Sequence, residues 1–322
     1  APMSDLPESV IFHEHGPREG FQIENRQFPL ARRVALIEAI AAAGVSRIQA
    51  ASFVNPKVVP NMADSAELFA AITKRPGIRY TALALNPWGF EQALAAPQVD
   101  HLGSVVLYAS NGFCLSNNNC TKQEARARLA QWTELYDKHN VPLEQVYVLC
   151  AFGCNFEGEV PVADVMAEVD HTVELFRQQG RALPRIDLDD SMGWASPDSI
   201  RRRIGAVREA YPELEVGLHL HDNRGLGSAC VLAALEMGVR HFDSSIGGLG
   251  GCPFSIVKDR AAAGNICTED MVHLCHELGI ETDIDLDALI EAALLAEDIV
   301  GRPLMGRVMH SGSLAEYRGT GG

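Results

Sequence analysis

The chain has 322 residues, of which 47% are hydrophobic and 21% charged, with a formal net charge of −15. That length suits one large domain or two average ones, and the apolar content argues against disorder. The acidic balance argues against nucleic acid or an anionic membrane surface as the main partner, since both call for a basic footprint.

No run reaches the roughly 18–20 apolar residues that span a bilayer. The opening APMSDLPESV has neither the basic segment nor the apolar core of a signal peptide, so a cytoplasmic location is expected. In chain order the strand candidates are SVIFHEH, SRIQAASF, IRYTALAL, HLGSVVLY, LEQVYVLCAF, RIDLDD, EVGLHLH and RHFDSSI. Amphipathic stretches predict helices over 30–43, 63–74, 121–139, 162–179, 196–211 and 225–237. Ser196-Pro197 and Thr268 before Glu269-Asp270 read as N-caps, while Gly44, Gly180 and Gly279 sit where helices should stop. Strands joined by helices imply parallel pairing, and eight such units predict one closed (β/α)8 TIM barrel. The rival is an open doubly wound sheet, weakened by the missing Rossmann glycine fingerprint and Walker lysine. A single domain spanning 1–322 is expected, with the barrel over 8–301, an extra C-terminal helix over 285–301 and a flexible tail over 302–322.

The density of the eight cysteines is unremarkable for this length, and no CxxC pair points to a structural zinc site. Cys150 and Cys267 lie in or beside apolar runs and read as small core residues, whereas Cys252 in GGLGGCPFS reads as exposed and mobile. In a barrel the chemistry collects at the C-terminal ends of the strands. Those ends carry Glu14, Arg18 and Glu19, then Asp189, Asp190 and Ser191, then His219, His221 and Asp222, and last Asp243, Ser244 and Ser245. In GLHLHDNRG, the period of two along a strand puts His219 and His221 on one side. Two readings stand: a pair of half-buried core histidines, or a pair of metal ligands completed by carboxylate and amide oxygens. The second donor mix suits Mg²⁺, Mn²⁺, Co²⁺ or Zn²⁺. SIGGLGGCPFS reads either as a flexible connection or as a mobile lid whose Cys252 donates a proton.

The segments GPREG, ASFVNPKVVPNMAD, CAFGCNFEGEV, HLHD, MGVRHFDSSIGGLGGCPFS and GNICTEDMVHLCHELGI resemble, in order and spacing, the 3-hydroxy-3-methylglutaryl-CoA lyases. These belong to a wider barrel superfamily of metal-dependent lyases and Claisen-type synthases, and the likeness runs from about Val10 to about Gly301. The resemblance implies retro-Claisen cleavage of a 3-hydroxyacyl-CoA to acetyl-CoA and a carbonyl product, in a homodimer that uses a divalent metal. Carried over by position, it implies Glu19, His219, His221 and Asn265 as metal ligands and Arg18, Asp190 and Cys252 as catalytic. Gln22 and Glu24 match the loop into which the first motif continues. Three positions depart from the family pattern: Glu19 stands for aspartate, Gln49 for a catalytic glutamate, and His15 for an apolar residue. His15 and Gln22 are therefore expected on the substrate side, and a substrate other than the usual one is expected. The alternatives are a condensing enzyme or a lyase on a non-CoA hydroxy acid, and, in a different class, a non-catalytic lyase-derived scaffold.

Overall fold

The computed structural model describes residues 6–24, 26–251 and 264–318. All eight expected strands form: β1 Ile11–Glu14, β2 Arg47–Ser52, β3 Arg79–Leu83, β4 Gly103–Tyr108, β5 Leu143–Leu149, β6 Arg185–Asp189, β7 Val216–His219 and β8 His241–Ser244. They belong to one parallel sheet in the order β3-β2-β1-β8-β7-β6-β5-β4, the succession of a TIM-barrel-like (β/α)8 fold. Asp100 bonds both backbone groups of Tyr80 in β3, its amide donating to Tyr80 O at 2.8 Å and its carboxylate accepting from Tyr80 N at 2.7 Å.

The chain divides into two compact units, one built mainly from residues 101–243, the other from residues 8–100, 244–250 and 265–322. In the second, α1 Leu30–Ala42 buries Leu36, Ile37, Ile40 and Ala41, one face at helical spacing, and α2 Ser65–Ala71 and α3 Pro87–Ala95 follow. Its later helices are α9 Thr268–Glu277 and α10 Leu286–Val300, the extra C-terminal helix that was expected. In the first unit lie α4 Asn111–Asn118, α5 Lys122–Lys138, α6 Val162–Gln178, α7 Pro197–Ala210 and α8 Gly227–Glu236. Thr121 and Glu124 form a capping box at the start of α5, and Ser196 with Ser199 does the same for α7. Gly44, Gly180 and Gly279 have positive φ just past helix ends, as expected.

Two expectations change. The N-cap of α9 is Cys267 rather than Thr268, because the Thr268 hydroxyl instead donates to Glu14 Oε2 at 2.6 Å. The segment 302–318, expected as a flexible tail, docks: Leu304, Val308 and Met309 are buried, and Asp270 accepts from Val308 N at 2.8 Å. Among the described residues no helix is long and apolar enough to cross a membrane.

Candidate active site

After β1 the backbone enters a π-helical turn, Gly16–Gly20, whose start is set by Pro17 and whose amides at Arg18 and Glu19 return to His15 O. Glu14 fastens this turn from below. Its Oε1 accepts from Gly16 N and Ile246 N, each at 2.8 Å, so the turn is joined to the segment that follows β8. Burial pushes the Glu14 carboxyl up to about 7, even though these donors and Thr268 favour the charged form.

The turn lifts Arg18 and Glu19 side by side. Arg18 Nε donates to Gln49 Oε1 at 2.6 Å and Nη2 to Glu19 Oε2 at 3.2 Å. The other oxygen of Glu19 accepts from Asn265 Nδ2 at 2.9 Å, and the same amide donates to Leu249 O at 3.1 Å. A side chain at Gly250, whose φ is +103°, would come within 2.4 Å of Asn265 Nδ2, so only glycine lets the chain pass this close. Asn265 Oδ1 is buried and has no hydrogen-bond partner among the described residues. Such an acceptor costs about 1–3 kcal/mol if left unmet, which points to a ligand on that oxygen.

In the other unit, His219 ends β7 and His221 follows two residues on, their Nε2 atoms 3.4 Å apart. Two imidazole nitrogens that converge in this way, both buried, fit one cation better than two independent core positions. His219 Nδ1 lies 3.0 Å from Asp243 Oδ2, and register places Asp189, His219 and Asp243 level on three adjacent strands. Asp190 is buried, and both of its oxygens accept backbone amides, from Trp194 at 2.7 Å and Ala195 at 2.9 Å. Burial raises its carboxyl to about 6 against the pull of those amides.

Arg18, Glu19, Gln49 and Asn265 form one hydrogen-bonded cluster, and the two histidines form another with Asp243. Each set is chemically suited to a divalent ion, the first through carboxylate and amide oxygens, the second through imidazole nitrogens. Gln22 accepts from Ser52 Oγ at 3.2 Å. His15 is buried, and its amide donates to Ser244 O at 2.8 Å. Glu24 instead faces Arg302, 2.5 Å away. Cys252 lies outside the described residues. Sequence reasoning passed over Tyr147, which donates to Asp243 Oδ2 at 2.7 Å, and Glu269, whose carboxylate accepts from Gly247 N at 3.1 Å. The alternation of polar 145 and 147 with apolar 146 and 148 was the available signal for the first.

A profile of the HMGL-like family matches residues 9–295. The 3-hydroxy-3-isohexenylglutaryl-CoA/hydroxymethylglutaryl-CoA lyase of Pseudomonas aeruginosa is 35% identical over 298 residues, 92% of this chain and 95% of its own. The mitochondrial hydroxymethylglutaryl-CoA lyase of Mus musculus is 38% identical, over 90% of this chain and 85% of its own. Among solved structures, the P. aeruginosa hydroxymethylglutaryl-CoA lyase has a TM-score of 0.86 at 35% identity, covering 95% of this chain and 98% of its own. An HMG-CoA lyase from A. baumannii, solved with coenzyme A and 3-methylmalate, has a TM-score of 0.83 at 37% identity, with 95% of each chain covered.

Proposed function

Because the chain belongs to the HMGL-like family, we infer that it is a carbon–carbon lyase that cleaves a 3-hydroxyacyl-CoA to acetyl-CoA and a carbonyl product. Residues 8–301 are proposed as its catalytic barrel, and a homodimer as its assembly. The observation that carries the reading is Arg18, held at 2.6 Å by Gln49 beside the Glu19–Asn265 pair. That cluster keeps a guanidinium where negative charge develops, next to oxygen donors of the type a hard cation takes.

The proposed ligands are Glu19, Asn265, His219 and His221, with Mg²⁺ or Mn²⁺ favoured over Co²⁺ or Zn²⁺ because half the donors are oxygens. A bound divalent ion would polarise the substrate's oxygens. The residues do the rest. A base takes the 3-hydroxyl proton; Asp190, raised to about 6, stands near the pH where proton transfer is efficient. The C2–C3 electron pair passes to the acetyl fragment as the carbonyl product forms. Arg18 faces the enolate charge, and Cys252 is the proposed donor of the final proton to its carbon.

Specificity is proposed to be altered. Glu19 is one methylene longer than the family's aspartate, and Gln49 removes a carboxylate that would otherwise neutralise Arg18. A 35% identical relative whose name includes a longer 3-substituted glutaryl-CoA supports variation of the acyl group within this framework. The test is a panel of 3-hydroxyacyl-CoA thioesters with Mg²⁺ or Mn²⁺, following acetyl-CoA release. One member should be cleaved in a chelator-sensitive manner, while 3-hydroxy-3-methylglutaryl-CoA is slow. Cleavage of the latter at an ordinary rate of about 1–10³ per second would refute altered specificity. Release from no thioester would refute the lyase itself.

A further inference from the structure

On β5 to β8 polar side chains recur on the face shared by His219, beside Leu143, Leu149 and Gly217. β5 contributes Gln145 and Tyr147, β6 Arg185, Asp187 and Asp189, and β8 His241 and Asp243. The alternate residues Val146, Val148, Ile186, Leu188, Leu218 and Phe242 are buried and apolar, so the other face makes an ordinary core. Barrel interiors are usually packed with branched apolar side chains. Gln145, Tyr147, Arg185, Asp187 and Asp243 are buried, and burying such groups is costly unless each is satisfied.

They are satisfied by one another. Arg185 Nε donates to Asp187 Oδ1 at 2.9 Å and Nη2 to Gln145 Oε1 at 2.7 Å. Gln145 Nε2 donates to Tyr147 OH at 3.3 Å, Tyr147 OH donates to Asp243 Oδ2 at 2.7 Å, and Asp243 Oδ2 stands 3.0 Å from His219 Nδ1. At the far end Arg185 Nη1 lies 3.3 Å from His241 Nδ1, and His241 Nε2 lies 2.9 Å from Glu215. Gly217 makes room for the file: a Cβ there would meet Asp187 Oδ1 at 2.0 Å.

We propose that this buried file, Arg185–Gln145–Tyr147–Asp243, fixes the orientation and tautomer of His219 and thereby sets the affinity of the divalent-ion site, with Tyr147 as a positioning residue. Asp243 accepts from Nδ1–H, which leaves Nε2 as the lone-pair nitrogen turned towards His221. With Nδ1 and Nε2 so assigned, one Asp243 oxygen serves both His219 and Tyr147. Tyr147 stays a donor because burial, and then the charge of Asp243, holds its hydroxyl well above the ordinary tyrosine range. Removing that donor takes away one of the bonds that orient the carboxylate, and with it part of the restraint on the imidazole plane. The inference rests on the proposed ion site.

The experiment measures Mn²⁺ binding by electron paramagnetic resonance and the visible spectrum of the Co²⁺ form, in wild type, Tyr147→Phe, Gln145→Met and Tyr136→Phe. Tyr136 is a control in the same unit: its buried hydroxyl donates to Ser104 O at 2.8 Å, and Ser104 Oγ meets the file only at Gln145 Nε2, 3.4 Å away and on the side remote from Asp243. Tyr147→Phe should weaken Mn²⁺ binding by about tenfold or more and shift the Co²⁺ bands, with Gln145→Met in the same direction and smaller. Tyr136→Phe should do neither. Folded Tyr147→Phe that binds within about twofold of wild type overturns the inference, as does equal weakening in Tyr136→Phe; if Tyr147→Phe does not fold, Gln145→Met decides by the same comparison. Wild type that binds no Mn²⁺ overturns the ion site itself, a separate failure.

Discussion

Gln49 shows what one atom pair decides. Its Oε1 takes the Arg18 Nε–H at 2.6 Å, as a glutamate oxygen would, but brings no charge. Among the described residues Arg18 pairs in charge with Glu19, at 3.2 Å through Nη2. Gln49→Glu would add a carboxylate beside both, neutralising Arg18 and raising the negative charge near the ion's oxygen donors. The expected outcome is at least a tenfold loss of turnover on this enzyme's own thioester, about 1.4 kcal/mol of transition-state stabilisation. If the substitution instead raises cleavage of 3-hydroxy-3-methylglutaryl-CoA, the pocket is a weakened form of the usual one and the argument from Gln49 fails. At this scale the sequence carried Arg18, Glu19, Gln49 and Asn265 by motif alone. It could not carry Asn265 Oδ1 as an unmet buried acceptor, because that depends on which way the amide turns once Glu19 and Leu249 O hold its nitrogen.

Between elements, two buried carboxyls clamp the turn Ile246–Gly248 that follows β8. Glu14 holds Ile246 N, and Glu269, the second residue of α9, holds Gly247 N. Burial is the first cause in both, and each carboxyl is pushed from 4.5 up to about 7. A raised folded-state value means the folded chain keeps the proton more tightly than the unfolded chain. This contribution to stability is complete below about 4.5 and lost as pH rises through about 7, at most about 3 kcal/mol for each group. Chelator-treated protein should therefore melt at lower temperature as pH rises from about 5.5 to 8.5, and Glu269→Gln should flatten that slope. Equal slopes in the variant and wild type would remove Glu269 from the explanation. Long periodic helices such as α1, α5 and α7 were legible because their apolar spacing matches the faces they bury. α4 was not among the expected helices: NGFCLSNN has too few apolar residues to show a period, and it is helical because Ser110 accepts from Phe113 N and because Phe113 and Cys114 find a core to enter. Thr268 misled in the opposite way, since a threonine before acidic residues resembles a cap until a buried carboxylate claims its hydroxyl.

Over the whole chain, the strand and helix rhythm gave the fold, since eight alternations leave few architectures. The bond from Tyr80 N of β3 to the Asp100 carboxylate was not legible, because it depends on the loop after α3 returning to the strand. The docked segment 302–318 was also missed: its apolar residues are too few to show a period and gain their partners from distant stretches, such as the Glu297 oxygen that accepts from Leu304 N at 2.8 Å and Gly247 O, which accepts from Met305 N at 3.1 Å. The proposed ligands are scattered in the same way. Asn265 and Glu19 are 246 positions apart, and the histidines belong to another stretch again. An ion taken by all four binds the folded chain and not the unfolded one, so it must stabilise the molecule by mass action, about 2.7 kcal/mol at a concentration 100 times its dissociation constant. For a chain of this size that is a rise in melting temperature on the order of 5 °C. Mn²⁺ added to chelator-treated wild type should produce that rise, and His219→Ala, which deletes one donor, should melt near the metal-free wild type and respond little. A rise of the same size in His219→Ala would place the ion elsewhere, and no rise in wild type would leave the unmet oxygen of Asn265 to some other ligand.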